Sequence, residues 1–174
     1  MKQGIVFTGV PSMEELVNSP GFPSRNRLEK GAIAVIECVQ EIPCDPCEPA
    51  CPFGAIKVGK PITNLPVLFE DKCKGCGLCI PPCPGLAIFL VDITFSKDKA
   101  LLEFPYEYFP LPKVGSEVNA VDREGNIVTE ARVLKVKNPK KYDHTPVVSI
   151  AIPKEFIQEV RNIARKQRGW KRSK

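Results

Sequence analysis

The chain of 174 residues lacks the features that mark membrane and secreted proteins. No apolar run approaches the length of about eighteen residues that a membrane-spanning helix needs. The first residues do not have the layout of a secretory signal, because one lysine and a short apolar stretch are followed by Pro11, Glu14 and Glu15. We therefore expect a cytoplasmic protein without a membrane span.

Motifs of bond-making catalysis are missing as well. The chain has no nucleotide-binding glycine loop and no pair of acidic residues in a recognisable catalytic motif. Its one histidine, His144, lies in the polar stretch KKYDHT, where we expect an ordinary surface position. We therefore predict no catalytic residue and no catalytic site of its own in this protein.

Cysteine is abundant by contrast, and all eight cysteines fall in two short runs. The second run reads CKGCGLCIPPCP, a C-x2-C-x2-C-x3-C spacing followed by proline, which is typical of bacterial-type iron–sulfur proteins. The iron corners of a cubane lie close together, so its ligands must come from a tight loop. Gly75 and Gly77 give that loop access to positive φ. The cysteines of this second run are Cys73, Cys76, Cys79 and Cys83.

The first run, ECVQEIPCDPCEPACP, repeats this pattern upstream. Its last three cysteines reappear 32 residues later, and both runs end in Cys-Pro. The first gap differs, because Glu41 stands where a regular motif would place its first thiolate. We interpret Cys38 as the ligand, with a bulged loop over residues 39–43 behind it. The cysteines of this first run are Cys38, Cys44, Cys47 and Cys51. A duplicated unit that uses all eight cysteines predicts metal binding.

Other roles for eight thiols stay open on spacing alone. Two structural zinc sites would also use eight thiolates, although zinc sites rarely repeat this four-cysteine run with its proline. A disulfide framework is disfavoured, because we expect a reducing compartment in which thiols bind metal or stay reduced.

Around the two runs the chain resembles the two-cluster ferredoxin family, a pseudo-twofold module that holds two [4Fe–4S] clusters. The resemblance covers about residues 31–92, roughly a third of the chain. It implies crossed ligation, in which the last cysteine of each run binds the cluster of the other run. Cluster I would be held by Cys38, Cys44, Cys47 and Cys83. Cluster II would be held by Cys73, Cys76, Cys79 and Cys51.

The layout of the whole chain, including the stretches PSMEEL and ECVQEIPC, looks like ferredoxin-type subunits of flavin-dependent dehydrogenases that oxidise amino acids or similar amines. This resemblance implies an iron–sulfur subunit in a heteromeric complex, relaying electrons between a flavoprotein partner and an external carrier. A free two-cluster ferredoxin and a non-redox protein with structural metal sites are the alternatives. Apolar burial by Ile56, Ile80, Leu86 and Ile88, backbone N–H groups and local charge would set the potentials.

The expected fold is α+β, with a ferredoxin-like module, an N-terminal arm, a small antiparallel β domain and a C-terminal helix. The corresponding ranges are 1–30 for the arm, 31–92 for the module, 93–152 for the β domain and 153–174 for an amphipathic helix with a basic tail. In the arm, IVFTGV predicts a short strand, PSMEELV predicts a capping-box helix that begins after Ser12, and residues 18–31 predict irregular structure. Phe22, Arg25 and Arg27 contact either their own domain or a partner subunit.

In the β domain, charged residues between the apolar runs around Lys97–Lys99 predict a hairpin, and alternation along residues 127–137 predicts a strand. After Pro153, the apolar residues recur with helical spacing, which predicts an amphipathic helix. They are Phe156, Ile157, Val160, Ile163 and Ala164.

The charge balance gives no support to nucleic-acid binding. The formal net charge of +5 falls to about +1 once each site of four thiolates and a cubane core is counted at −2. A nucleic-acid-binding protein would be more basic, with aromatic residues among the positive charges.

Overall fold

A single antiparallel sheet dominates the structure, a computed structural model that describes residues 3–165. Within these residues, seven strands form the large sheet in the order β1-β4-β5-β8-β7-β6-β9, and β2 and β3 form a separate hairpin. The strands are β1 Ile33–Ile36, β2 Ile56–Lys57, β3 Val67–Leu68, β4 Ile88–Asp92, β5 Lys99–Pro105, β6 Glu117–Val121, β7 Ile127–Lys137, β8 Val147–Pro153 and β9 Asn162–Ile163. The helices are α1 Ile5–Thr8, α2 Met13–Val17 and α3 Arg25–Leu28, with 3-10 turns at Lys140–Tyr142 and Lys154–Phe156.

The expectation of an α+β fold is met only in part, because the described residues are mostly strand and the helices are short. Between residues 31 and 92, the structure has four strands joined by turns and no helix. The predicted antiparallel strands of residues 93–152 are confirmed. The hairpin around Lys97–Lys99 is also confirmed, since it joins β4 to β5. No helix among residues 3–165 has the length and apolar character to cross a bilayer.

Strand β4 joins the cysteine-rich part of the chain to the rest of the sheet. It pairs with β1 on one side, where Ile36 lies opposite Ile88, and with β5 on the other, where Leu90 lies opposite Glu103. Side chains alternate across a strand, so β4 serves two cores. Ile88 and Leu90 pack with the cysteines, whereas Phe89 and Val91 pack in the core between the sheet and the C-terminal segment.

The N-terminal arm packs on its own chain. Its residue Gly21 accepts a hydrogen bond from the Ile36 N–H at 3.1 Å, and Pro20 accepts one from the Leu68 N–H at 3.0 Å. A Cβ on Gly21 would lie 2.8 Å from Ile36 Cβ, so glycine is needed for this approach. The arm therefore bridges β1 and the β2–β3 hairpin, and Phe22 packs against the main core.

Local predictions in the arm had mixed outcomes. The capping box is confirmed, because the Ser12 side chain accepts from the Glu15 N–H at the start of α2 while Glu15 accepts from the Ser12 N–H. The short strand predicted at IVFTGV is wrong: residues 5–8 form α1, which ends at Gly9 in the left-handed region. The segment expected to be irregular contains α3, with Ser24 as its N-cap.

The C-terminal amphipathic helix is also wrong over the described residues, and the rest of the predicted range, 166–174, lies outside them. Residues 157–165 form a turn followed by β9. The segment forms backbone hydrogen bonds with the edge of β6 instead of a helix. The Arg161 N–H donates to Val121 O at 2.9 Å, and the Ala164 N–H donates to Asn119 O at 2.8 Å. Val160 and Ile163 are still buried, which explains why their spacing resembled a helix face.

Candidate iron–sulfur site

None of the eight cysteines forms a disulfide. Cys47 and Cys79 are buried and Cys76 is exposed, while the others are half-buried. Six of the eight belong to or pack against one apolar cluster, together with Ile56, Ile80 and Ile88. Those three isoleucines are at most 2% exposed, as expected, whereas Leu86 is only half-buried.

The last cysteines of the two runs, Cys51 and Cys83, have equivalent surroundings. The Ala55 N–H donates to Cys51 Sγ at 3.2 Å, and 32 residues later the Ala87 N–H donates to Cys83 Sγ at 3.5 Å. A backbone N–H aimed at sulfur stabilises the thiolate form that a metal requires. The repeat seen in the sequence is therefore a repeat of local structure.

The turn behind each of these cysteines is also shared. The N–H groups of Gly54 and Leu86 bond the carbonyls of Cys51 and Cys83, both at 3.1 Å. Both turn residues have positive φ, 60° at Gly54 and 51° at Leu86. A leucine in the left-handed region is strained, and its presence shows how firmly the turn geometry is imposed by the surrounding fold.

The first three cysteines of the first run lie near Cys83. Burial and, after it, the nearby Cys83 thiol raise the pKa of Cys47 to about 11. Burial, then Cys83, also raises the pKa of Cys38 and of Cys44. Cys38 thus lies within electrostatic range of Cys44 and Cys83, although five residues separate it from Cys44 in sequence.

The first three cysteines of the second run lie near Cys51 in the same way. Burial and, after it, the thiols of Cys73, Cys76 and Cys51 together raise the pKa of Cys79 to about 12. Four thiols held this close cannot all ionise unless a cation compensates them, and metal binding displaces the protons. The donor set therefore fits two metal–sulfur centres.

The thiols are not arranged around single ions. Among residues 3–165, no three or more His, Cys, Asp or Glu side chains are placed so that they share one metal ion. Thiolates on one zinc ion lie about 3.8 Å apart, given a Zn–S bond of about 2.3 Å and tetrahedral angles. The ligands of a cubane are spaced more widely, because each one binds a different iron.

Glycine at position 75 lets the second run lie against β1. Gly75 has φ 63°, and a Cβ there would lie 2.6 Å from Ala32 O and 2.7 Å from Ala32 Cβ. Gly77 also has positive φ, and a Cβ there would lie 3.1 Å from Glu103 Oε2. Both glycines predicted from the motif are therefore needed for conformation, and Gly75 also for space.

The structure has a buried ion triad beside Cys38 that the sequence did not predict. Glu37 binds Arg123 at 2.6 and 2.8 Å and Arg161 at 2.6 Å, and the Arg161 guanidinium lies 5.3 Å from the centre of the Phe89 ring. Burial alone would raise the pKa of Glu37, but the two arginines hold it below its ordinary value. The partners lie 86 and 124 residues along the chain, so no local motif could have revealed them.

A second cation lies beside Cys73. The half-buried Arg27 side chain donates to the carbonyls of Cys73 at 3.1 Å, Gly31 at 3.1 Å, Ala32 at 3.2 Å and Glu70 at 3.3 Å. The ion pairs formed by the described residues do not include Arg27. It therefore contributes a positive charge beside the second run, uncompensated by any carboxylate within ion-pair distance.

The eight thiols in two runs form a ferredoxin-type donor set that fits two [4Fe–4S] clusters. A family model described as "4Fe-4S binding domain" matches residues 66–89, which include the second cysteine run. No solved structure matches.

Curated relatives match parts of the chain. A subunit of an ion-translocating oxidoreductase complex from Methanosarcina acetivorans is 37% identical over 34% of this chain and 20% of its own length. The polyferredoxin-like subunit of an aliphatic sulfonate oxidoreductase from Pyrococcus furiosus is 46% identical over 28% of this chain and 27% of its own length. The translation initiation factor RLI1 from Chaetomium thermophilum is 25% identical over 63% of this chain and 20% of its own length. The similarity thus spans only a minor part of each relative.

Proposed function

We propose that this protein is an electron-transfer subunit of a multi-subunit oxidoreductase, relaying electrons between a flavoprotein partner and an external carrier. The observation that carries the proposal is the grouping of the eight thiols, in which three from one run are joined by the last cysteine of the other. When bound, each [4Fe–4S] cluster supplies one-electron redox chemistry. The protein's own residues bind the clusters, shield them and set their charge surroundings.

In this proposal the thiolates divide as the crossed pattern implies. Cluster I is held by Cys38, Cys44, Cys47 and Cys83. Cluster II is held by Cys73, Cys76, Cys79 and Cys51. Support comes from the effect of Cys83 on the pKa of the first-run thiols and from the effect of Cys51 on Cys79. Burial of Cys47 and Cys79 keeps water from the ligands, and the N–H bonds to Cys51 and Cys83 orient the two crossing sulfurs.

The proposal that this protein is a subunit of a complex rests on the names of its relatives. Two of the relatives are named as subunits of oxidoreductases, an ion-translocating complex and an aliphatic sulfonate enzyme. The resemblance of the whole layout to subunits of flavin-dependent dehydrogenases makes amino acids or similar amines the substrate class of the partner. A cytoplasmic location completes the proposal.

Anaerobic purification of the tagged chain from its source cells tests the proposal. We expect iron and acid-labile sulfide at about eight each per chain and a co-purifying chain that contains flavin. A Cys79→Ser chain is the matched control, because it should lose iron. If the native chain purifies alone with both clusters intact, it is a free ferredoxin instead.

A non-redox role is the second candidate, favoured by two matches that are longer than those to the oxidoreductase subunits. The similarity to RLI1, named a translation initiation factor, extends over 128 residues, and that to the Drosophila melanogaster protein Pixie extends over 102. In this role the clusters would be structural. A redox titration followed by electron paramagnetic resonance (EPR) separates the two candidates, since structural clusters would stay unreduced across the range of biological reductants.

A further inference from the structure

Cys76 marks the place where the second cysteine run reaches the surface, because it alone of the eight cysteines is exposed. Electron tunnelling falls steeply with distance, so a partner must dock where a cluster comes closest to solvent. We propose that the Cys76 face, defined here as Phe53, Phe69, Lys72 and Lys74 beside Cys76, docks a redox protein whose own surface is acidic. The inference rests on the electron-transfer function proposed above.

The middle of the Cys76 face is apolar. Phe53 is 45% exposed and lines the same small cavity as Cys76. Phe69 is 43% exposed, and its N–H donates to the carbonyl of Ala55, which lines the same cavity. Exposed aromatic residues inside a polar rim are the anatomy of a protein-docking surface.

The rim of the face carries positive charge. The Lys72 Nζ lies 4.9 Å from the centre of the Phe69 ring, and Lys74 lines the cavity beside Cys76. Glu70 and Asp71 bring two negative charges to the same turn, and the Glu70 carboxylate is held by the Ser24 side chain and N–H. The four positive charges of Lys72, Lys74, Arg27 and Lys30 outweigh these two.

The other cysteine run has the opposite charge, which is why the proposal commits to an acidic partner. Residues 38–51 contain Glu41, Asp45 and Glu48 and no lysine or arginine. Glu41 and Asp45 are exposed, whereas Glu48 is paired with Lys57. An acidic protein is attracted to the Cys76 face and repelled by the first run, so charge selects which cluster it meets.

Redox-inert paramagnetic ions map the two surfaces on the full-length protein with both clusters bound. Hexacyanochromate(III), an anion, should broaden the NMR signals of Phe53, Phe69 and Lys72, and hexaamminechromium(III), a cation, should broaden those near Glu41 and Asp45. The double variant K72E/K74E should lose most of the broadening by the anion. The control K113E/K135E changes the net charge equally at two exposed lysines outside the face and should keep it.

A rate measurement complements the map. Oxidation of the reduced protein by the anionic complex [Co(edta)]⁻ at low salt should slow about tenfold in K72E/K74E, because electrostatic steering is worth at least that much. The difference should shrink at high salt, where the charges are screened. Oxidation by the cation hexaamminecobalt(III) should not slow.

Three results would overturn the inference: broadening by the anion that persists in K72E/K74E, an equal loss in K113E/K135E, or salt-sensitive dimers of the wild-type chain that form through this face. The last would make a second copy the occupant. Iron content and EPR of each variant keep this test separate from the proposed function. If both clusters are present and reducible, a negative result concerns only the docking face.

Discussion

The two cysteine runs are copies in sequence, but different parts of the chain surround them. Beside the first run, Glu37 is buried between Arg123 and Arg161, which both come from the C-terminal half. Beside the second run, Arg27 from the N-terminal arm donates to the Cys73 carbonyl. The equivalent loops are thus held by unrelated partners, one through a buried ion triad and the other through neutral carbonyls.

This difference gives the segments outside the cysteine runs a physical role. A small cluster-binding core gains folding energy from its metal, but its charge surroundings must come from elsewhere. Here the arm and the C-terminal strands supply them, and the C-terminal strands also continue the sheet that begins with β1 and β4. Electron transfer between two otherwise equivalent clusters acquires a direction only if their surroundings differ.

Arg161→Met should destabilise the surroundings of the first run and have the largest effect of the variants. It leaves the buried Glu37 carboxylate with Arg123 as its one remaining partner. Removing one member of a buried ion network costs about 3–5 kcal/mol, which lowers Tm by roughly 6–20 °C in a chain of this size. Thermal unfolding of the cluster-bound protein, followed by circular dichroism at a fixed scan rate, measures it. Arg25→Met is the control, since the Arg25 side chain is 94% exposed. A shift as small as that of the control would show that the triad does not hold the first run in place.

Gly75→Ala should disrupt cluster binding by the second run and leave cluster binding by the first run intact. The new Cβ would lie 2.6 Å from Ala32 O at a positive φ, so the loop must move away from β1. We expect iron to fall from about eight to about four per chain, with the signal of one reduced cluster lost. Gly85→Ala is the matched control, because a Cβ there meets nothing within 4 Å. Full iron content in Gly75→Ala would mean that the close approach is dispensable.

Arg27→Gln should shift a redox potential, a smaller effect that is separate from the loss of its hydrogen bonds to the backbone. Losing a positive charge beside Cys73 makes an added electron less favourable, so the potential of cluster II should fall while that of cluster I holds. Arg27→Lys keeps the charge and should restore most of the potential, and Arg25→Gln should change neither. Redox titration with EPR detection resolves the two clusters. Equal shifts in both clusters, or no rescue by lysine, would contradict a local electrostatic role.

The cysteine pattern was predictable from sequence because cubane ligation imposes spacing within a few residues. The capping box at Ser12 and the strands with two-residue alternation were predictable for the same reason. The C-terminal segment was not, because Val160 and Ile163 have helical spacing yet pair with the edge of β6. The partners of Glu37 were equally hidden, since contacts across 86 and 124 residues depend on how the sheet brings distant segments together.

The crossing of ligands between the runs is the central claim, and cysteine-to-serine variants read by EPR test it most directly. Cys44→Ser and Cys76→Ser provide references, because each should remove the signal of its own run's cluster. Crossed ligation predicts that Cys83→Ser perturbs the same signal as Cys44→Ser, and that Cys51→Ser perturbs the same signal as Cys76→Ser. If Cys83→Ser instead perturbs the signal lost in Cys76→Ser, each run holds its own cluster and the account is wrong.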